Sequence, residues 1–404
     1  MWKTGVRWLL RDLHSRCLLR SGSTSFREPN RAPDKTMTKL LAYISPSFFI
    51  DVDLPVLREL ARYYKVSWYL VWSVWERKYE IEEIVQYCHK YEIDFYCFRY
   101  RARFRDPRNL LLAPQIVLAI RRARPDIIYF EGFSDPYLPF VARALLPGDS
   151  TIVGIHDVEP HKGPKNGAYR LLNAATFALF KNFLLFSQNQ QQIFLEKYPR
   201  KRSFVASIYV KDFGECHAPK DKDPDSVTFL FFGSIRYNKG LEFLIQAGNK
   251  LAERTDKFRI LIAGGCEEAK DFPALMEHPE VFDLRIGTVA SDDVPGLFSE
   301  ADFLVLPYRD VTQSGPLMIA YRYGLPVIAS DLPGFRECIV PGETGFLFEP
   351  CNAEALAGVM EKVLALTEGD RRELRSRVLS YAAGSFSLDK IVGSYRAFFD
   401  TVGD

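Results

Sequence analysis

Short apolar runs alternate with amphipathic segments from Lys39 to the end of the chain. In the first half, the apolar runs predict strands at Leu40–Ile44, Val66–Val71, Phe95–Phe98, Ile127–Phe130, Ile152–Ile155 and Asn182–Phe186. The segments between them predict helices at Leu54–Tyr64, Ile81–Tyr91 and Leu110–Arg122. Strands separated by helices of this length indicate βαβ units and a parallel sheet.

The same alternation resumes after a polar segment with two prolines, Gly214 to Ser226, which we interpret as a linker. The second series of predicted strands lies around Phe229 and at Phe258–Ile262, Phe282–Ile286, Phe303–Leu306, Val327–Ala329 and Gly345–Phe348. A chain of 404 residues is also too long for one ordinary core. We therefore predict a separate tail over 1–36, α/β domains over 37–218 and 219–385, and a last helix over 386–404 that returns to the first domain.

The charge is divided unevenly between the two halves, although the whole chain carries only +2. Residues 1–218 hold 33 Lys and Arg against 22 Asp and Glu, whereas residues 219–404 hold 20 against 29. Nucleic acid is a poor partner, because the aromatic residues do not interleave with one basic stripe. A basic first half favours an anionic membrane or a diphosphate-bearing acceptor. The arginine-rich stretch between Phe98 and Pro125 is either a helix at a lipid surface or a helix with a solvated basic edge.

Cysteine spacing and hydropathy bear on the cellular setting. The seven cysteines are scattered without a CxxC pair, which indicates reduced core thiols and a cytoplasmic protein rather than a zinc or disulfide framework. No apolar run is long enough to span a membrane. The arginine-rich segment 1–36 is either a targeting or surface-associating tail or a disordered extension. We expect a cytoplasmic location with peripheral contact to the inner face of the membrane.

Two loops carry the residue types that bind phosphate. The strand before Gly233 leads into Arg236, Lys239 and Gly240, and an Arg fork beside a Lys point charge suits two adjacent phosphates. Thr312-Gln-Ser-Gly315 follows the strand Phe303–Leu306 and precedes Pro316, where a helix can begin. A helix N-terminus after a small loop provides free N–H groups and a positive dipole end for an anion.

These loops resemble those of a known family. The segment Gly233–Gly240 is similar to the GxxRxxKG loop of retaining family-four glycosyltransferases (group 1, bacterial polysaccharide-biosynthesis type). Ser314-Gly315, followed by Gly324-x-Pro326-Val327, resembles the donor-loop region of that family. The resemblance implies a GT-B fold, with two Rossmann-like domains whose parallel sheets face each other across a cleft. It also implies a UDP- or GDP-linked sugar donor, with no metal and no further cofactor.

The resemblance assigns roles to particular residues. It implies that Arg236 and Lys239 neutralise the donor diphosphate and that His156 lies near the donor sugar, all three in catalytic roles. The residues expected to bind the donor are Gly233, Thr312, Ser314, Gly315, Glu337 and, less directly, Asp157.

Simpler interpretations stay open, namely solvated charges for the Arg–Lys pair and helix or turn caps for Ser314 and Glu337. A metal site at His156 and His161 is disfavoured, since no third ligand is evident. Glu131, at the end of a predicted strand, either faces the cleft or lies in a surface turn.

One departure from the family limits the prediction. Many members have a Glu-x7-Glu pair, and the corresponding positions here are Val311 and Ile319. Our main hypothesis is a hexosyltransferase that moves a sugar to a lipid-linked saccharide or other glycan in polysaccharide or glycoconjugate biosynthesis. The missing carboxylates motivate the alternative, a non-catalytic glycosyltransferase-like subunit of a synthesis complex. A covalent two-carboxylate route is disfavoured for the same reason.

Overall fold

Two parallel sheets organise the protein in a computed structural model, which describes residues 39–73, 79–100, 106–159, 167–210, 212–215, 226–266 and 271–402. The strands of the first sheet are β1 (Leu40–Pro46), β2 (Lys65–Trp72), β3 (Asp94–Arg99), β4 (Ile127–Phe130), β5 (Thr151–Ile155), β6 (Asn182–Leu185) and β7 (Arg202–Val205). They lie in the order β3-β2-β1-β4-β5-β6-β7, and all neighbouring pairs are parallel.

The second sheet repeats this plan with one strand fewer. Its strands are β8 (Val227–Phe232), β9 (Phe258–Gly264), β10 (Phe282–Ile286), β11 (Phe303–Leu306), β12 (Val327–Ser330) and β13 (Gly345–Phe348). They lie in the order β10-β9-β8-β11-β12-β13, again with parallel neighbours. The predicted α/β class with two parallel sheets is confirmed.

Helices connect most successive strands, as parallel pairing favours, whereas the described residues between β9 and β10 contain only the 3-10 turns Pro273–Leu275 and Pro279–Val281. In the first half the helices are α1 (Ile50–Leu60), α2 (Ile81–Lys90), α3 (Ala113–Ala123), α4 (Leu138–Leu145), α5 (Gly167–Leu179) and α6 (Gln188–Lys197). In the second half they are α7 (Leu241–Ala252), α8 (Val294–Glu300), α9 (Gly315–Arg322), α10 (Pro333–Arg336), α11 (Ala353–Leu364), α12 (Glu368–Ser385) and α13 (Leu388–Phe399). Among the described residues, no helix has the length and apolarity needed to cross a bilayer.

The central strands are buried on both faces, which explains why they are continuous apolar runs rather than alternating ones. Helices cover each face of each sheet and form four apolar clusters, two per sheet. The last helix, α13, packs against α1, and its Tyr395, Phe398 and Phe399 belong to a core of the first sheet. The packing of α13 thus joins the C-terminal segment to the first half of the fold.

The observed elements differ from the predicted ones at several places, and α4, α5 and α6 were not among the predicted helices. Strand β7 was not predicted, because an edge strand with only two adjacent apolar residues gives a weak signal. Helix α1 begins at Ile50 rather than Leu54. The predicted helix Leu110–Arg122 is a 3-10 turn at Pro107–Leu111 followed by α3, with Pro114 in its first turn. The tail 1–36 and most of the linker lie outside the described residues, so the domain boundaries stay predictions.

The strand order reverses between β1 and β4 in the first sheet and between β8 and β11 in the second. At such a reversal the connecting helices leave on opposite faces, and a crevice opens beyond the carboxyl ends of the two strands. These two reversals are therefore where the fold places a ligand.

Candidate active site

The loops at both reversals line one cavity. The first half contributes Pro46 at the end of β1, Glu131 after β4 and His156 after β5. The second half contributes Arg236 after β8 and Thr312 after β11. The cavity has a volume of about 510 Å³. Its walls also include Asp157, Gln313 and Gly315.

Close backbone contacts shape the loop after β8. Gly240 has φ +61°, and a Cβ there would lie 2.1 Å from the carbonyl oxygen of Pro307. Gly264, with φ +148°, ends β9, and its Cβ would lie 2.0 Å from the carbonyl oxygen of Gly233. Only glycine allows these approaches. They hold the Gly233–Gly240 loop against the neighbouring strand ends.

The two cations of this loop have different surroundings. Arg236 is exposed and lines the cavity, as expected for a phosphate ligand. The Lys239 ammonium lies 3.8 Å from the centroid of the Tyr308 ring, a cation–π contact that fixes the lysine beside β11. The loop therefore presents the guanidinium to the cavity and positions the ammonium close to the start of the next loop.

The Thr312–Gly315 loop leads directly into α9. Ser314 is the N-cap residue, and its hydroxyl accepts a hydrogen bond from the Leu317 amide at 3.4 Å. Gly315 and Pro316 occupy the first turn, and Gly315 lines the cavity. The positive end of α9 thus faces the cavity beside Arg236.

Hydrogen bonds join this loop to the first half of the protein. The Thr312 hydroxyl donates to Asp157 Oδ1 at 2.5 Å. The Gln313 amide nitrogen lies 3.0 Å from His156 Nδ1 and donates to the His156 carbonyl oxygen at 3.1 Å. The donor-side loop is therefore attached to the residues that follow β5.

His156 is enclosed by aromatic rings. Phe49 and Phe186 stack on its two faces, with centroid separations of 4.2 Å and 4.1 Å and interplanar angles of 14° and 16°. Its Nε2 lies 2.9 Å from Glu131 Oε1, and its side chain is 17% exposed. With both ring nitrogens and both faces in contact, this imidazole is held in one orientation.

Two buried carboxylates lie beneath the histidine. Glu131 and Asp53 are both fully buried, and the Tyr43 hydroxyl lies between them, 3.0 Å from Glu131 Oε2 and 2.8 Å from Asp53 Oδ1. The Tyr129 hydroxyl donates to Glu131 Oε2 at 2.5 Å. Burial, with a smaller contribution from the charge of Glu131, raises the pKa of Asp53 well above its ordinary value. The complete burial of Glu131 removes the surface-turn interpretation.

Glu337 makes a different contact across the two halves. Its carboxylate accepts hydrogen bonds from the backbone amides of Gln188 at 2.8 Å and Asn189 at 2.5 Å. These amides are at the N-terminus of α6, where a negative charge is favoured. Glu337, Thr312 and Ser314 also line a neighbouring cavity of about 380 Å³.

The structure places some of the predicted site residues in the main cavity and others beside it. His156, Asp157, Arg236, Thr312 and Gly315 line one cavity. Ser314 and Glu337 serve in this structure as helix caps next to it, and their roles in binding a donor stay predictions. His161, in the segment after Asp157, lies outside the described residues.

Sequence reasoning did not single out Gln313, Asp53 or Gly264. Gln313 was present in a noted motif, but its contacts depend on the other half of the chain. The glycine pair that ends β9, Gly264-Gly265, was the available signal for a third loop at this edge. Asp53 had no local signal, since an acidic residue in a first helical turn is common.

The described residues contain no group of three or more His, Cys, Asp or Glu side chains that could hold a metal ion. Metal independence itself stays a prediction. The arrangement does contain a guanidinium, an ammonium and a helix N-terminus at neighbouring strand ends, which suits the binding of a diphosphate.

A family model matches part of the second half of the chain. Residues 226–365 match the family described as "Glycosyl transferases group 1". Residues 226–365 form a group 1 glycosyltransferase domain. That domain contains Arg236, Lys239, the Thr312–Gly315 loop and Glu337, which confirms the resemblance that the two loops indicated.

Relatives of the group 1 domain include sugar transferases from distant organisms. The chain is 31% identical to a sulfoquinovosyl transferase of Arabidopsis thaliana over 279 residues, covering 61% of this chain and 51% of that protein. It is 27% identical to an alpha-D-kanosaminyltransferase of Streptomyces kanamyceticus over 183 residues, covering 43% and 46%. The chain thus spans about half the length of the curated relatives it matches.

Solved structures share the fold of the whole described chain. A sucrose-phosphate synthase from Thermosynechococcus elongatus matches with a TM-score of 0.68 at 15% identity, covering 90% of this chain and all of that one. The Anabaena protein HepE, solved with UDP and glucose, matches with the same TM-score at 14% identity and the same coverage. With its two parallel sheets, the protein has the GT-B fold of these structures.

Proposed function

We propose that this protein is a glycosyltransferase that takes its sugar from a nucleoside-diphosphate donor. The observation that supports this most strongly is the meeting of Arg236 and the N-terminus of α9 at one cavity, at the strand-order reversals of both sheets. Lys239 lies on the same loop as Arg236. Such an arrangement attracts two linked phosphates, and the facing edge of the first sheet then meets the sugar and the acceptor.

The proposed reaction is retaining. The bond between the anomeric carbon and the diphosphate oxygen breaks, and an acceptor hydroxyl attacks on the same face while its proton passes to the leaving phosphate. Arg236, Lys239 and the α9 dipole stabilise the charge that develops on the diphosphate, which is where preorganised cations accelerate a reaction most. Glu131 is not suited to act as a nucleophile, since it is fully buried and its oxygens contact Tyr43, Tyr129 and His156.

The donor is proposed to be UDP- or GDP-linked, with no further cofactor and no metal. HepE, which shares the fold, was solved with UDP and with UDP-glucose. Turnover should persist in excess chelator if the protein cations alone stabilise the leaving group. Loss of activity that Mg²⁺ or Mn²⁺ restores would contradict this part of the proposal.

The acceptor is proposed to be a lipid-linked saccharide or other glycan of polysaccharide or glycoconjugate biosynthesis. The first half exposes large apolar side chains, with Leu111 74% and Leu110 50% exposed before α3. Arg121 and Arg122 are exposed at the other end of that helix. Apolar and basic groups on one segment suit an anionic bilayer surface. We therefore propose peripheral contact with the cytoplasmic face of a membrane.

A thermal-shift screen of nucleoside diphosphates tests the proposed function. A ligand that binds the folded state raises its stability by about 2.7 kcal/mol at a hundredfold excess over Kd. We expect UDP or GDP to raise the melting temperature and the corresponding nucleoside to raise it less. If no nucleotide or nucleotide sugar stabilises the protein, the donor-binding proposal is wrong and a non-catalytic scaffold becomes the better explanation.

A further inference from the structure

The hydrogen bonds among Tyr43, Asp53 and Glu131, buried below the cavity, require that one of the two carboxyl groups is protonated. The Tyr43 hydroxyl lies within hydrogen-bonding distance of Asp53 Oδ1 and of Glu131 Oε2, but it has only one hydrogen to donate. One of the two carboxyl groups must therefore donate to the Tyr43 oxygen, and so must itself carry a proton.

The second partner of each carboxyl group shows which one is protonated. Glu131 Oε2 also accepts a hydrogen bond from the Tyr129 hydroxyl, and Glu131 Oε1 lies 2.9 Å from His156 Nε2, so both of its oxygens have polar partners. On Asp53, Oδ2 is buried without a hydrogen-bond partner, and the nearby Ser45 hydroxyl lowers the pKa of Asp53 less than burial raises it. The consistent arrangement has Asp53 donating to Tyr43, and Tyr43 donating to an ionised Glu131.

The contacts of Gln313 on the Nδ1 side of the ring determine the tautomer of His156. The Gln313 side chain approaches both Nδ1 and the backbone carbonyl of His156. A carbonyl oxygen accepts only, so the Gln313 group that faces it must be the NH2 group. That group then faces Nδ1 as well, which makes Nδ1 an acceptor and places the ring hydrogen on Nε2, facing Glu131.

We propose that Glu131 is a positioning residue, which holds His156 as the neutral Nε2–H tautomer and thereby keeps Nδ1 available for Gln313 of the donor-side loop. Asp53, Tyr43 and Tyr129 maintain the charge of Glu131, and Gln313 transmits the orientation of His156 to the Thr312–Gly315 loop. This inference rests on the proposed function for its consequence in catalysis, but its geometry does not depend on any ligand.

The enclosure of His156 makes this control effective. Phe49 and Phe186 cover the two faces of the ring, so rotation of the imidazole would require one of these rings to move. Among the described residues, Glu131 is the only titratable group in hydrogen-bond contact with Nε2. Nδ1 contacts the uncharged Gln313 amide and no titratable group. The choice between tautomers therefore depends on Glu131 and Gln313.

The Glu131→Gln variant makes a sharp prediction. If the oxygen of the new amide faced His156, the NH2 group of that amide would face two tyrosine hydroxyls. Tyr129 would then lose its acceptor, and Tyr43 would have to donate to a buried, ionised Asp53. If the oxygen stays with the tyrosines, the NH2 group faces Nε2, which must then be an acceptor. We expect the second arrangement, so the proton moves from Nε2 to Nδ1 and the contact with Gln313 is lost.

Nitrogen NMR of the nucleotide-free protein with 15N-labelled histidine measures this directly, with His156 assigned from a His156→Asn variant. The wild-type protein should show the Nε2–H tautomer, and Glu131→Gln should show the Nδ1–H tautomer. Asp53→Asn is the matched control: its amide can donate to Tyr43 as the Asp53 hydroxyl does, and the wild-type tautomer should persist. A folded Glu131→Gln protein that keeps the Nε2–H tautomer would overturn the proposal, and so would a shift in Asp53→Asn.

The Gln313→Glu variant gives the same test without a change in the core. A carboxylate opposite Nδ1 takes a hydrogen there, and Glu131 keeps the one on Nε2, so His156 should become doubly protonated at neutral pH. A ring protonated at Nδ1 alone would mean that Glu131 does not hold the Nε2 hydrogen. This variant decides the matter even if Glu131→Gln fails to fold.

A binding measurement connects the tautomer to the site. Loss of one hydrogen bond to the donor-side loop should weaken nucleoside-diphosphate affinity by roughly two- to tenfold in Glu131→Gln. Unchanged affinity together with a moved proton would contradict the role in positioning the loop. If the wild-type protein binds no nucleoside diphosphate, the proposed function fails, whereas the NMR result still stands or falls by itself.

Discussion

The two halves of the cavity are built on the same sheet plan but with opposite kinds of side chain. The second half contributes glycine-shaped loops, an exposed guanidinium and a helix N-terminus, all of which are local features of the chain. The first half contributes a histidine stacked between two rings and a fully buried carboxylate, and its polar groups are satisfied by residues far away in sequence. Binding a diphosphate requires accessible cations, whereas orienting a reacting group requires a packed and fully hydrogen-bonded one.

The largest difference between the halves should come from two glycines near the carboxyl ends of strands, Gly264 in β9 and Gly154 in β5. Gly264→Ala would place Cβ against the Gly233 carbonyl at a positive φ, and we expect the free energy of unfolding to fall by roughly 3 kcal/mol or more. In the first half, a Cβ at Gly154 would lie 2.7 Å from the Tyr129 hydroxyl, but the nearest backbone atom, the Phe130 carbonyl oxygen, would be 3.3 Å away and φ is not positive. Gly154→Ala should therefore lower stability less, by roughly 1–3 kcal/mol.

Urea unfolding of both variants at one pH measures this difference. Gly148→Ala is a suitable control, since a Cβ there would meet nothing within 4 Å. Equal destabilisation by Gly264→Ala and Gly154→Ala would show that the backbone contact between the strand ends does not constrain the second half more than the first.

The next largest effect concerns affinity. Arg236→Ala and Lys239→Ala should each weaken nucleoside-diphosphate binding by about 1.5–3 kcal/mol, the value of a hydrogen bond to a charged group, with little change in stability. Titration calorimetry compares them with Arg122→Ala, which removes an exposed arginine of the first half. Full affinity in both loop variants, or an equal loss in Arg122→Ala, would remove the Gly233–Gly240 loop from the donor site.

This contrast explains how much the sequence could predict. The strand runs were buried on both faces and therefore apolar throughout, so both parallel sheets and the loops after β8 and β11 could be located from local pattern. Glu131 and Asp53 could not be assigned, because their burial and their partners depend on packing between β1, β4, β5 and α1. The contact of Gln313 with His156 joins residues 157 positions apart, and no local pattern indicates such a pair.

A smaller effect should appear in the pH dependence of stability. Burial raises the pKa of Asp53, so the folded protein keeps a proton on Asp53 that the unfolded chain releases above its ordinary pKa near 3.8. The contribution of Asp53 is thus fully present at low pH and is lost as the pH rises toward the folded pKa, with a slope of at most about 1.4 kcal/mol per pH unit. Asp53→Asn has no such proton to lose.

We therefore expect wild-type stability to fall relative to Asp53→Asn between about pH 4 and the folded pKa of Asp53, as measured by urea unfolding at several pH values. Asp149→Asn, which changes an exposed carboxylate of the first half, is the control. Parallel curves for wild type and Asp53→Asn would mean that Asp53 is ionised in the folded protein.

The smallest effect should be seen at the surface of the first half. Replacing Leu110 and Leu111 with Ser, or Arg121 and Arg122 with Ser, should reduce flotation with anionic vesicles, since each nearby basic residue contributes about 1 kcal/mol. Binding should also decrease at high salt. The protein used should begin at Met37, so that segment 1–36 cannot supply the signal, and exposed Arg372→Ser and Arg377→Ser in the second half are the control. Absence of the Met37 protein from anionic vesicles would contradict the membrane proposal.

The most direct test of the account is an experimental structure of the protein with UDP or GDP bound. We predict that the diphosphate lies within hydrogen-bonding distance of Arg236 and of the amides that begin α9 near Gly315, with its terminal phosphate facing His156 across the cavity. A nucleotide bound at the edge of the first sheet instead, with Arg236 and the α9 N-terminus making no contact with phosphate, would contradict the assignment of the second half as the donor site.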